Sequence, residues 1–116
     1  MIQKSPRVIL YDLETSHNLA AVFGLANQDW INPENIVAER YIISFAWKVL
    51  GEAKVHAVSV LDDPKWFKIN PNCDAYVVKE LHKVLSSADV IIAHNGDAYD
   101  IKFAETRMFY HGLDPL

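Results

Sequence analysis

Cysteine occurs once in the 116 residues, at Cys73. A single cysteine excludes an intrachain disulfide and any cysteine-rich zinc site, fits a reducing interior, and reads as a free, partly buried thiol. Long apolar runs are lacking too: nowhere do about 18 uncharged apolar residues follow one another, as a membrane-spanning helix requires. The opening MIQKSPRVILYDLE carries too short an apolar run, with acids inside it, for a secretory leader. The expectation is a cytoplasmic protein with no membrane partner. Basic residues are in the minority, 11 Lys and Arg against 15 Asp and Glu, for a formal net charge of -4. This excludes nucleic-acid affinity built on a broad basic face, and leaves room for a small site that works through bound cations.

What is present describes a soluble globular chain. Half the residues (51%) are hydrophobic and 22% are charged, and the length suits one domain spanning 1–116. Val8 to Tyr11 is a continuous apolar run behind Pro6, the pattern of a strand buried on both faces. Residues 16–39 mix NLAAVFGL with the turn-rich NQDWINPEN and read as an irregular excursion with room for a short strand. RYIISFAWKVL (40–50) and KVHAVSVL (54–61), joined by GEA, predict an antiparallel hairpin. Asp74 is placed to N-cap an amphipathic helix, AYVVKELHKVLSSA, with Tyr76, Val77, Leu81, Val84 and Leu85 at helical spacing. VIIA (90–93) predicts a second wholly apolar strand. The turn HNGDAYD follows, and then a helix over 100–111 with Ile101, Phe103, Ala104, Met108 and Phe109 inward and Gly112 as its stop. A helix linking two strands favours a right-handed crossover with those strands parallel. The sum is a mixed α/β sheet: three antiparallel strands, a helix, a parallel fourth strand, a helix.

Both apolar strands run into acids. In a strand, residues two apart point the same way, so Asp12 and Glu14 should project side by side from the end of the first strand. Two adjacent carboxylates repel and are costly at a hydrophobic sheet unless a cation or basic group joins them. If VIIA lies parallel beside the first strand, Asp97 and Asp100 arrive at the same edge, where open α/β sheets bind ligands. Asp97 reads as a turn acid. Asp100 has two uses, as an N-cap or as a third member of the acidic group, and the joint pattern favours the second.

DLET after one apolar strand, and Asn95-x-x-x-Tyr99-Asp100 after another, resemble the first two motifs of the DEDD 3′-5′ exonucleases of the ribonuclease H-like fold. The element order is similar along the whole chain, and the excursion followed by YIISFAWKVLGE is similar to a branch of predicted exonucleases of bacteria and phages. The resemblance implies a ribonuclease H-like sheet and a bacterial cytoplasm, or a host cytoplasm for a phage protein. It further implies phosphodiester hydrolysis at nucleic-acid 3′ ends, single-stranded DNA above all, in replication or repair. It makes Asp12 a bridge between two Mg²⁺ or Mn²⁺ ions, Glu14 a ligand to one that helps set the attacking water, and Asp100 a holder of the second through its water shell. Two ions about 4 Å apart stabilise both the incoming hydroxide and the departing oxygen, and hard oxygen ligands suit these ions.

The backbone near Leu13, with Thr15, matches positions that touch the terminal nucleotide, and Asn95 matches one near the substrate strand. Beside these stand bland uses: Thr15 as a β-former and Asn95 as a turn residue bonding its own backbone. Tyr99 reads as core. His94 reads as a turn histidine, and His17, His56, His82 and His111 show no metal spacing. Trp30, Trp47 and Trp66 read as buried anchors rather than base-stacking platforms.

The family's third motif, a Tyr or His followed by an Asp on a late helix, is absent. Tyr110-His111-Gly112-Leu113-Asp114 comes too soon after Asp100, so Asp114 is not taken as the missing ligand. The expectation is a ribonuclease H-like domain truncated before its final strand and helix, a poor nuclease alone, completed by a C-terminal part, a second polypeptide or self-association. Two other classes stay open. DLET and GDAYD also imitate the motifs of haloacid-dehalogenase-like phosphatases, although Glu14 replaces an Asp, a hairpin follows where a helical crossover belongs, and no Lys motif precedes GDAYD. The other class is a non-catalytic, exonuclease-like binding or assembly module.

Overall fold

The computed structural model describes residues 5–22, 24, 30–63, 65, 73–93 and 98–116, with 98–100 described by backbone alone. Its elements are β1 (Val8–Thr15), β2 (Leu19–Ala20), β3 (Ile36–Ala38), β4 (Ile42–Val49), β5 (His56–Ser59), α1 (Ala75–Ser86), β6 (Val90–Ala93) and α2 (Ala98–Tyr110). Four strands make one sheet in the order β5-β4-β1-β6, with β4 antiparallel to β1 and β5, and β6 parallel to β1. The excursion holds the short antiparallel pair β2-β3, Leu19 opposite Ala38. The α/β mixed sheet expected from the sequence is therefore present.

Chemistry of the local sequence explains the elements. The β-branched and aromatic residues of β4 and β5 suit a pleated surface, and Gly51 takes φ +94° in the turn between them, a backbone state that costs glycine little. The second hairpin strand is shorter than expected. After Ser59 the chain turns through a 3₁₀ segment, Val60–Asp62, closed by Ser59 Oγ accepting from the Leu61 N–H and Asp62 Oδ2 accepting from the Ser59 N–H. Gly112 ends α2 at φ +76°, with the Gly112 N–H donating to the Phe109 carbonyl and the Leu113 N–H to the Met108 carbonyl.

Helices α1 and α2 cover one face of the sheet. Ile9, Tyr11 and Leu13 of β1 alternate into that side and meet Phe45 and Val49 of β4, Val77, Val78, Leu81 and Leu85 of α1, and Ala104 and Met108 of α2. Each large apolar side chain buried here contributes about 1.5–3 kcal/mol. Two-sided burial of the apolar strands is not what the structure has. Val90 and Ile92 are 45% and 43% exposed, and Val8 and Leu10 only half-buried, because none of the described elements covers the sheet's second face.

The helix registers also differ from expectation. Tyr76 is exposed, and Val78 takes its place inside α1. On α2, Phe109 is 85% exposed while Arg107 is buried, since Ala104, Arg107, Met108 and His111 form the inward stripe at spacings of three and four. Trp30 is 73% exposed and no anchor. Trp47 does pack against the core and stacks on His56 with centroids 4.1 Å apart, whereas Trp66 lies outside the described residues.

Candidate functional site

Strand β1 is longer than its parallel neighbour. The β1–β6 ladder runs from Val8–Val90 to Tyr11–Ala93, and past that point β1 continues through Asp12, Leu13, Glu14 and Thr15 paired only with β4. The DLET sequence thus occupies the overhang. Because Ile9, Tyr11 and Leu13 point at the helices, Leu10, Asp12 and Glu14 share the opposite, uncovered face. Asp12 is half-buried in a shallow depression of about 210 Å³ with Leu10, Ala46, Lys48, Val55 and Ile92. Glu14 is exposed, opposite Ser44. Neither carboxylate has an ion-pair partner among the described residues, and Lys48 lines the same depression as Asp12.

Four residues, 94–97, lie between the end of β6 and the start of α2, and Asp100 is the third residue of the helix. The Asp100 side chain is not among the described atoms, and His94, Asn95 and Asp97 lie wholly outside the described residues, as does the Tyr99 side chain. No group of three or more His, Cys, Asp or Glu is gathered among the described residues. Asp12 and Glu14 on their own are two carboxylate donors, a set that suits a hard cation such as Mg²⁺ or Mn²⁺ and offers nothing to softer ions.

The Leu13 side chain sits in the core, which limits any substrate contact to its backbone. The Thr15 hydroxyl is not idle: Oγ1 accepts from Arg40 Nη2 at 2.8 Å. Around it the chain is stitched to the approach to β4, the Arg40 N–H donating to Asn18 Oδ1 at 2.7 Å and the Tyr41 N–H to Ser16 Oγ at 2.9 Å. The ladder slips between Glu14 and Thr15, so that Ser44 opposes one and Ile42 the other, with Ile43 left over as a bulge. Bulges of this kind re-aim side chains and recur beside active sites.

Cys73 is a free, half-buried thiol. His82 Nε2–H donates to the Asp114 carbonyl at 2.8 Å. Asp74, expected as a helix cap, makes no side-chain cap bond. It is fully buried and accepts instead from Arg107 Nε (2.9 Å) and Nη2 (2.7 Å), His111 Nε2 (2.6 Å) and the Ile42 N–H (2.8 Å). Burial pushes the Asp74 carboxyl up, but the bonds from Arg107, Ile42 and His111 and the Arg107 charge outweigh it and hold the group below the usual carboxylate range. Arg107 is opposed by burial and raised by the same pair. Sequence reading missed both Arg40 and Asp74 in these roles. Arg40 opens the predicted hairpin, and its position before the apolar run was the only local signal.

In comparisons with known proteins, no family model matches the chain, and no curated protein matches it.

Proposed function

We propose that this chain is a metal-dependent 3′-5′ exonuclease domain of the ribonuclease H-like type, hydrolysing phosphodiester bonds of nucleic acid, with single-stranded DNA 3′ ends as substrate. The observation that carries the reading is the pairing of Asp12 and Glu14 on one uncovered face of the β1 overhang, where the first turn of α2, with Asp100, follows the end of β6. The strand order β5-β4-β1-β6, three antiparallel strands and then a parallel one reached through α1, agrees with the fold that the DLET and Asn95-to-Asp100 motifs imply.

On this reading Asp12, half-buried, and Glu14, exposed, would hold the cations, which would supply stabilisation of the negative charge on the attacking and leaving oxygens. Thr15 presents the strand end to the terminal nucleotide, and the Leu13 backbone lies beside it. The uncovered face that bears Val90 and Ile92 is where a further segment, a second polypeptide or another copy adds the fourth carboxylate and the general base. The same apolar face favours the second reading, a binding or assembly module without catalysis. Antiparallel pairing of β1 with β4 weighs against the phosphatase alternative, which calls for a helical crossover at that point.

The test is digestion of a 3′-labelled single-stranded oligonucleotide by the chain. Slow trimming is expected with Mg²⁺ or Mn²⁺, none with EDTA, and none for Asp12→Ala. Absence of cleavage under all conditions, with tight oligonucleotide or partner binding, supports the assembly module instead. Turnover of a small phosphomonoester with none of the oligonucleotide supports the phosphatase.

A further inference from the structure

The sheet face left open by the described elements carries an apolar hollow with one charge of each sign on it. Leu10, Ala46, Val55 and Ile92 line the depression of about 210 Å³, and Asp12 and Lys48 line it as well. Lys48 stands opposite Leu10 and Asp12 opposite Ala46. The two charged residues therefore sit on neighbouring strands, two residues apart along the ladder and on the same face. They form no ion pair with each other or with any other described residue. The apolar members of the face are open to water: Val55 is 64% exposed, Val90 45% and Ile92 43%. A contiguous apolar patch rimmed by polar residues marks an interaction site, where a lone exposed valine would not.

We infer that this face pairs with the same face of a second copy of the chain, in a twofold dimer with Leu10, Val55, Val90 and Ile92 at its apolar centre and Asp12 of each copy against Lys48 of the other. The charges choose the occupant. A patch that holds one acid and one base side by side is complementary to itself: a twofold axis lying in the interface, perpendicular to the line from Asp12 to Lys48, sets each carboxylate over the other copy's ammonium. Sheets stacked face to face lie about 10 Å apart, and a lysine stem can run along apolar surface while its ammonium reaches across that gap. Size sets the strength. Strands β1 and β4 have eight residues each and β5 and β6 four each. At about 3.3 Å per residue and about 4.8 Å per strand they cover roughly 400 Å² of plane. Two such faces bury roughly 800 Å² before side-chain relief is counted, the size of a weak or transient contact. The dimer therefore forms and dissociates with concentration. It does not rest on the metal reading, and Glu14 is not among the residues lining the depression.

The experiment is sedimentation velocity of the chain in EDTA, from low-micromolar to near-millimolar concentration, with near-ultraviolet circular dichroism confirming that each variant is folded. The variants are Ile92→Ser, Asp12→Lys and Lys48→Glu. Wild type is expected to pass from monomer to dimer over this range. Each variant alone should weaken the dimer by about tenfold or more, Ile92→Ser by removing apolar area and the two reversals by setting like charges against each other. An equimolar mixture of Asp12→Lys and Lys48→Glu should dimerise again, because every reversed charge then meets an opposite one. A wild type that stays monomeric throughout overturns the inference. So does a dimer indifferent to Ile92→Ser, or a mixture that associates no better than its two components. If Asp12→Lys does not fold, Lys48→Glu and Ile92→Ser decide: undiminished association in both overturns the inference. Oligonucleotide digestion by a chain that is monomeric throughout leaves the exonuclease reading standing and overturns this one.

Discussion

Arg107 grips Asp74 with two parallel hydrogen bonds, Nη2 to Oδ1 at 2.7 Å and Nε to Oδ2 at 2.9 Å, in a site where the carboxylate is fully buried. With the Ile42 N–H and His111 Nε2 on the same carboxylate, the start of α1, the start of β4 and the end of α2 are held at one point. The pair fixes how the two helices sit against the strand that flanks β1.

Breaking this pair from one side should be expensive. Asp74→Asn or Arg107→Met leaves a buried charge without its partner and should lower stability by about 3–5 kcal/mol. The double replacement should cost much less than the sum of the two, because it removes both charges. Urea denaturation followed by tryptophan fluorescence checks this.

Acid should find the same pair. The folded-state pKa of Asp74 is depressed, so its contribution is complete above the unfolded value, near pH 4, and is lost as pH falls through the lower folded value. Denaturation midpoints between pH 7 and pH 2 should therefore fall more steeply for wild type than for Asp74→Asn/Arg107→Met below about pH 4.

The register of α2 gives a contrast between neighbours. Met108→Ala should cost about 2–5 kcal/mol because the side chain is buried, whereas Phe109→Ser should stay within about 0.5 kcal/mol because the ring is exposed. Equal losses at both positions would contradict the observed face of the helix.

Local signals were legible in the sequence wherever one residue type forces one backbone choice or one periodicity dominates. Alternation in β1 put Asp12 and Glu14 on a shared face, Gly51 marked the turn before β5, and Gly112 marked the stop of α2. Long-range pairing was not legible. Asp74 suits a helix cap by residue type, and nothing local reveals an arginine 33 residues away that claims both its oxygens. The inward stripe of α2 was obscured for the same reason: an arginine occupies a core position while Phe109 and Tyr110 face solvent. Apolar strands do not disclose which of their faces is covered, so two-sided burial was expected for Val8 to Tyr11, although Val8 and Leu10 are only half-buried. At the site, the carboxylate spacing was readable from DLET, but the Arg40 contact with Thr15 and Phe103 joins three segments distant in sequence.

The central claim is that Asp12 and Glu14 are adjacent because a divalent cation belongs between them, and thermal unfolding of wild type and Asp12→Asn, with EDTA or saturating Mn²⁺, tests it most directly. Without metal, neutralising one of two repelling acids should raise the melting temperature of Asp12→Asn above that of wild type. With Mn²⁺ at about ten times its dissociation constant, wild type should gain about 1.4 kcal/mol, Asp12→Asn should gain little, and the order should reverse. A wild-type melting temperature indifferent to Mn²⁺, with Asp12→Asn the less stable protein in EDTA, would contradict the account.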